Sequence, residues 1–256
     1  EDYRELTYNY LKECAASNVI YVEAMISSTH AKQRGMTYHS FLEGVLQGAQ
    51  QAEKEFGIVS KYIMNGIRHL GPDSVQKTAD EVLKNPHDDL VGFGLAGDEL
   101  HFPPEIFTKT FDMLQEARFP ITVHAGEWDG PERIRDAIKL LHPTRLGHGV
   151  RSIEDPALVE LIKELDIILE TCPTSNVATK IYKNYQDHPV KKLFDQGVKI
   201  TVNSDDPPFF NASIAGEYEV MRTLGLSDDE LKSLTTNAVE HAFCDEDTKL
   251  KLLNKI

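Results

Sequence analysis

The 256-residue sequence predicts an α/β fold of the (β/α)₈ TIM-type barrel class, with the first strand missing. Two observations carry this. Seven strand-like apolar runs begin near Val19, Lys61, Leu90, Ile121, Arg145, Asp166 and Lys199, at about the 30-residue spacing of a βαβ unit. Short clusters of polar, metal-competent residues close several of these runs at their carboxyl ends: His124 to Glu127, His148, and Asn203 to Asp206. In a parallel barrel the loops of all strands converge on that face, and barrel enzymes carry their chemistry there.

The chain opens in a helix over Tyr3 to Ala16, so the strand absent from a closed barrel is expected to be the first. An open seven-stranded barrel leaves two sheet edges exposed, a liability that natural proteins avoid. The sequence is therefore expected to be a single barrel domain over residues 1–256, incomplete at its amino end. Between the strands, Phe107, Phe111 and Leu114 mark a helix after Pro103 and Pro104, and Ile134, Ile138 and Leu141 mark another that Pro143 stops. Asp155 and Pro156 supply an N-cap and a first-turn proline to a helix with Leu158, Leu161, Ile162 and Leu165 on one face. Ser227 with Glu230 is a capping-box signature near the end of the chain. Lys199 to Val202 is expected to be a buried central strand.

Composition narrows the function classes. A formal net charge of −14 works against a nucleic-acid or anionic-membrane surface, because phosphates are bound chiefly by lysine and arginine. A small, roughly neutral substrate is easier to accommodate. Cys14, Cys172 and Cys244 are odd in number and never form a CxxC pair, so neither a disulfide framework nor a cysteine zinc site is indicated. No apolar stretch approaches the ~20 residues of a bilayer span, and Glu1 to Arg4 lacks a signal-peptide pattern, so a cytoplasmic protein is expected.

Each polar cluster has a structural and a chemical reading. His124 at a strand end is either a hydrogen-bonded core histidine or, with Glu127 three residues on, half of a metal-ligand or acid–base arrangement. His148 lies between Gly147 and Gly149, which suggests a turn or close approach of a ligand to the backbone. Adjacent Asp205 and Asp206 repel unless a cation or proton relieves them, and an N-cap explains only one of the two. Imidazoles and carboxylates at one mouth suit zinc. Cys172 reads as a buried small apolar residue, Arg68 and His69 at a strand end as basic groups in a structural ion pair more than as substrate contacts, and Ser27 and Ser28 as residues that could line the pocket. His30, His39, His69, His87, His101, His142, His188 and His241 read as surface or capping histidines.

Gly94 to Glu99 (GLAGDE), His124 to Glu127 (HAGE), Gly147 to Gly149 (GHG), Thr171 to Asn176 (TCPTSN) and Asn203 to Phe210 (NSDDPPFF), in this order, resemble the adenosine deaminases, and most of all their bacterial members. The resemblance implies the same barrel and a zinc-dependent hydrolysis of adenosine or deoxyadenosine to inosine or deoxyinosine and ammonia. It implies that His124 and Asp205 are zinc ligands and that Glu127 is the acid that protonates purine N1. His148 would orient and deprotonate the attacking water, Asp206 would hold N7, and the Gly97 amide would meet N3. The family's other two ligands form an HxH pair on the first strand, and this sequence has no HxH; the missing ligands coincide with the missing strand. The HxE and PCxxC site of nucleic-acid deaminases is also absent. Three readings stay open: an adenosine deaminase, an aminohydrolase of adenine or another 6-aminopurine, and a non-catalytic nucleoside-binding barrel.

Overall fold

The computed structural model describes residues 1–256. Seven parallel strands, β1 (Tyr21–Ile26), β2 (Val59–Ile67), β3 (Leu90–Ala96), β4 (Ile121–Ala125), β5 (Arg145–His148), β6 (Ile168–Thr171) and β7 (Ile200–Val202), pair in sequence order. Every connection passes through at least one helix, as parallel pairing requires. All seven begin within two residues of the positions expected from the sequence. The arrangement is a TIM-type barrel with seven strands, and β1 and β7 are its unpaired edges. Ile200 and Val202 are buried as expected, but β7 is an edge strand, not a central one.

The helices form where their termini and apolar faces dictate. Asp155 accepts hydrogen bonds from the Ala157 and Leu158 amides and Pro156 begins the helix Pro156–Glu164, which buries Leu158, Val159 and Ile162. That helix ends before Leu165, which is about half exposed and lies off the buried face. The helix Pro131–Leu141 stops ahead of Pro143, with His142 in the left-handed region at φ 49°. Ser227 and Glu230 form the reciprocal capping box of the helix Asp228–Glu240. The opening helix, Asp2–Ala16, packs on Tyr38–Phe56 through Gly44 and Gly48, where a Cβ would press on the backbone near Tyr3 and Arg4. No helix is long and apolar enough to cross a membrane.

A charged cluster ties the interior together at the amino ends of the strands. Arg145, on β5, places Nη1 2.6 Å from Glu23 Oε2 on β1 and Nε 3.0 Å from Glu170 Oε1 on β6. Glu170 accepts a hydrogen bond from Thr122 of β4 (2.5 Å), and Glu23 accepts one from the Phe243 amide (2.7 Å). The Phe243 ring lies 3.6 Å from the guanidinium carbon, in the space left by the missing side chain of Gly92. Four strands and the segment after the helix Asp228–Glu240 thus meet on one buried cation. Removing it strands two buried carboxylates. Arg145→Met should cost about 3–5 kcal/mol, read as a lower urea midpoint, and adding Glu23→Gln and Glu170→Gln should recover most of the loss. A midpoint unchanged by Arg145→Met would show that the cluster does not hold the sheet.

Candidate active site

A cavity of about 440 Å³ opens at the carboxyl ends of the strands and is lined by Gly97, His124, Glu127, His148, Asp205 and Asp206, among others. All six residues selected from the sequence therefore meet in one place, although up to 109 positions separate Gly97 from Asp206 in the chain. Ladder register explains the nearest pair: His124 lies opposite Gly147 and Ala125 opposite His148. The backbone then turns sharply. Gly97, Gly126, His148 and Asp205 take positive φ values of 107°, 80°, 61° and 56°. For His148 and Asp205 that conformation costs about 1–2 kcal/mol relative to ordinary backbone, and strain of this kind concentrates at functional sites.

His148 is the hub. It is only 2% exposed, and its Nε2 lies 3.5 Å from Glu127 Oε2 and 3.8 Å from Asp205 Oδ2. Burial, with the His124 ring beside it, pushes its pKa down to about 4, so the ring is neutral. Burial, with the charges of Asp205 and Glu99, pushes Glu127 up to about 8, so its carboxyl holds a proton at neutral pH. Environment has separated an acid from a neutral imidazole, the usual mark of assigned acid and base roles.

The donors at one side suit a metal ion. Asp205, His148 and Cys172 place ligand atoms within 4.8 Å of one another. His124 shares the cavity, its ring edge-on to His148 with centroids 5.2 Å apart, and its Nδ1 is buried without a hydrogen-bond partner. An unpartnered buried imidazole nitrogen on a histidine that shares its cavity with a carboxylate and a second imidazole fits zinc chemistry. Cys172 is buried as expected, and burial raises its thiol far above the usual range, so without a cation beside it the sulfur stays protonated.

Several expectations need correcting. Of the two readings for the glycines around His148, the turn holds: Gly149 takes a left-handed φ of 65° and accommodates Leu169, and a Cβ at Gly147 would lie 2.8 Å from His124 Nδ1, so these glycines admit neighbouring side chains and not a ligand. Gly126 does the same for Ile134. Arg68 forms no ion pair; fully buried, it donates to the His124 carbonyl at 2.6 Å and fixes the end of β4. Ser27 and Ser28 do not line the cavity. His188 is no surface group: it is 2% exposed and bonded to Asn176.

Glu99 was not singled out from the sequence, yet its carboxylate organises the HAGE turn. It is 2% exposed and accepts from three consecutive amides: Gly126, Glu127 (3.1 Å) and Trp128 (2.9 Å). A buried carboxylate wrapped by backbone N–H groups makes strong, charge-assisted hydrogen bonds, and here they aim Glu127 into the cavity. A second buried carboxylate, Glu217, holds the Thr174 amide in the same way at the start of the helix Pro173–Ala178.

The family model for adenosine deaminase matches residues 1–256. The chain belongs to the adenosine deaminase family. Among its relatives, the adenine deaminase of Rhizobium meliloti (strain 1021) is 42% identical over 253 residues, covering 98% of this chain and 78% of the relative. The adenine deaminase of Rhizobium rhizogenes (strain K84 / ATCC BAA-868) is 41% identical over 257 residues, covering 100% and 80%. In three dimensions the chain superposes on adenine deaminase from Arthrobacter aurescens with a TM-score of 0.93 at 29% identity, covering 99% of this chain and 78% of that one. An amidohydrolase from Burkholderia ambifaria, solved with bound zinc, also gives 0.93, at 28% identity and 99% and 71% coverage. The family therefore accounts for the barrel, and a zinc-bound relative shares it.

The Glu99 clamp has a direct consequence. In Glu99→Ala three amides lose a buried acceptor, each unsatisfied group costing about 1–3 kcal/mol. Hydrogen exchange at Gly126, Glu127 and Trp128 should accelerate strongly while the amides of β4 stay protected. Unchanged exchange across the turn would show that the carboxylate does not hold it.

Proposed function

We propose that the cavity hydrolytically deaminates a 6-aminopurine, with free adenine as its preferred substrate. The observation that carries the proposal is the protonated Glu127 carboxyl 3.5 Å from the neutral ring of His148, inside a cavity of purine size. The named relatives are adenine deaminases, which weighs toward the free base over the nucleoside implied by the motif resemblance.

Glu127 gives its proton to ring nitrogen N1, which makes C6 electrophilic. A water oxygen adds to a face of C6; one of its protons passes to the exocyclic nitrogen, which leaves as ammonia when its bond to C6 breaks, the other restores the Glu127 carboxyl, and the product is the 6-oxopurine. Each group acts where charge develops, in a site already organised before the substrate arrives. We assign Asp206, which lines the cavity, to hold N7, and the Gly97 amide to meet N3; that both line the same cavity as Glu127 supports this reading. The buried ring of His148 faces the oxygen that adds to C6. His124 and Asp205 are the residues we assign to a zinc ion, which when bound lowers the pKa of water toward ~7. The −14 net charge accords with a neutral base as substrate in preference to a phosphorylated one.

Ammonia release and the absorbance change of deamination should be measured on the purified, zinc-supplemented protein with adenine, adenosine and deoxyadenosine. Adenine is expected to give the highest kcat/KM; preference for a nucleoside would overturn the substrate, and no turnover of any aminopurine by zinc-bound protein would overturn the reaction. Glu127→Gln should lower kcat by ~10² to 10⁴ with zinc content unchanged. Asp205→Ala should instead lose zinc, and near-normal turnover by Glu127→Gln would remove it as the acid.

A further inference from the structure

Behind His148 runs a buried line of polar groups that the proposed chemistry does not use. Asn176 Nδ2 lies 3.2 Å from His148 Nδ1, Asn176 Oδ1 lies 3.0 Å from His188 Nε2, and His188 Nδ1 lies 3.2 Å from the Val190 amide nitrogen. Asn176 is fully buried, and His188 and His148 are each 2% exposed. Asn176 sits on the helix Pro173–Ala178 that follows β6, and His188 sits between the turn Tyr185–Asp187 and the helix Val190–Asp195.

The far end of this line fixes its direction. A backbone amide can only donate, so His188 Nδ1 is an acceptor. Burial, with His148 nearby, pushes the His188 pKa down to about 3, so this ring is neutral and its single proton is on Nε2. That proton requires an oxygen on Asn176, which settles the orientation of the amide and turns its NH₂ toward His148. His148 Nδ1 then accepts, and the remaining ring proton of His148 stands on Nε2. The other side of the ring is consistent with this: Nε2 faces the Asp205 carboxylate, with Oδ2 at 3.8 Å, which can only accept a proton-bearing partner.

We propose that Asn176 and His188 are positioning residues, a one-way hydrogen-bond relay anchored on the Val190 amide that locks the proton of His148 on Nε2. His148 therefore presents an N–H to the cavity, and a donor, not a lone pair, meets the oxygen at C6. This differs from the deprotonating role that the family resemblance implies for His148. The catalytic meaning rests on the deaminase reading of the cavity; the tautomer does not.

The test is long-range ¹H–¹⁵N correlation of the ring nitrogens in ¹⁵N-histidine-labelled protein near neutral pH, with the His148 signals assigned by their loss in His148→Gln. Protonated Nε2 and bare Nδ1 are expected in both His148 and His188. Asn176→Asp offers only acceptors and should move the His148 proton to Nδ1, with kcat falling ~10- to 100-fold, the scale known for groups that orient metal-site histidines, and KM changing little. His188→Gln, which can accept from Val190 and donate to Asn176, should keep Nε2 protonated, whereas His188→Leu should give mixed tautomers. A His148 proton on Nδ1 or exchanging between nitrogens in the unaltered protein overturns the relay, as does an unmoved proton in Asn176→Asp. Should Asn176→Asp fail to fold, the unaltered protein and the two His188 variants still decide. Protonated Nε2 in a protein that deaminates no purine would leave the relay standing and overturn the function.

Discussion

Parallel pairing in strict chain order is the constraint on which the rest of this structure depends. With each strand bonded to the next in sequence, every carboxyl end comes to the same rim, and the ladder of β4 on β5 decides that His124 and His148 are neighbours. The ladder also ends there, so the last residues must turn away from extended backbone. They do so through left-handed positions, two of which are not glycine: His148 and Asp205. Both side chains then line the cavity at that rim. Strain at these two residues is offset by the buried contacts around them, and the gain is two functional groups facing one cavity.

The rim is then stiffened by charge and dipole more than by apolar packing. Arg68 holds the His124 carbonyl, Glu99 gathers the three amides that follow, and Glu217 secures the Thr174 amide ahead of Asn176. Each clamp is buried, so each is strengthened by its low-dielectric surroundings and costly to break. The same surroundings separate the titrating groups, moving Glu127 up to about 8 and His148 down to about 4. The scaffolding and the chemistry thus share one physical cause, exclusion of water from a polar rim.

Apolar periodicity located all seven strands, because a buried parallel strand needs a continuous apolar run and its limits are marked by polar or turn residues. The same logic placed Asp155, Ser227 and Pro143 at helix ends, where a local backbone need has a local residue answer. The rim residues with polar strand-end signatures were legible for a similar reason. Glu99, Asn176 and His188 were not, since their partners lie 27, 28 and 12 residues away and nothing in the neighbouring pattern announces them. Asn176 lay within the TCPTSN string, and a buried amide there has no periodic signal. His188, followed by Pro189, reads as a surface or capping residue; it does accept the Val190 amide at the start of the next helix, but nothing local announces its burial or its bond to Asn176. Gly147 misled for the complementary reason: sequence shows that a side chain is missing but not which neighbour fills the space.

Cavity size alone would have pointed elsewhere. A cavity of about 620 Å³ lies beside Phe119 and Phe243, and another of about 510 Å³, lined mostly by apolar residues such as Val22, Val202 and Tyr218, lies between the two edge strands; neither includes any of the candidate catalytic groups. The walls of the latter come chiefly from β1, β7 and the helices that follow β7, and of the charged groups it meets, Arg145, Glu23 and Glu170 are already joined in the cluster that ties the sheet. The smaller cavity differs in kind: two histidines and five acidic residues line it, with the Glu127 carboxyl protonated and the His148 ring neutral. Chemistry requires groups whose protonation states differ at the same pH, and on this barrel only the carboxyl rim provides the buried turns and amide clamps that hold such groups apart. The site is therefore identified by its electrostatic asymmetry, and volume follows as a limit on the size of what can enter.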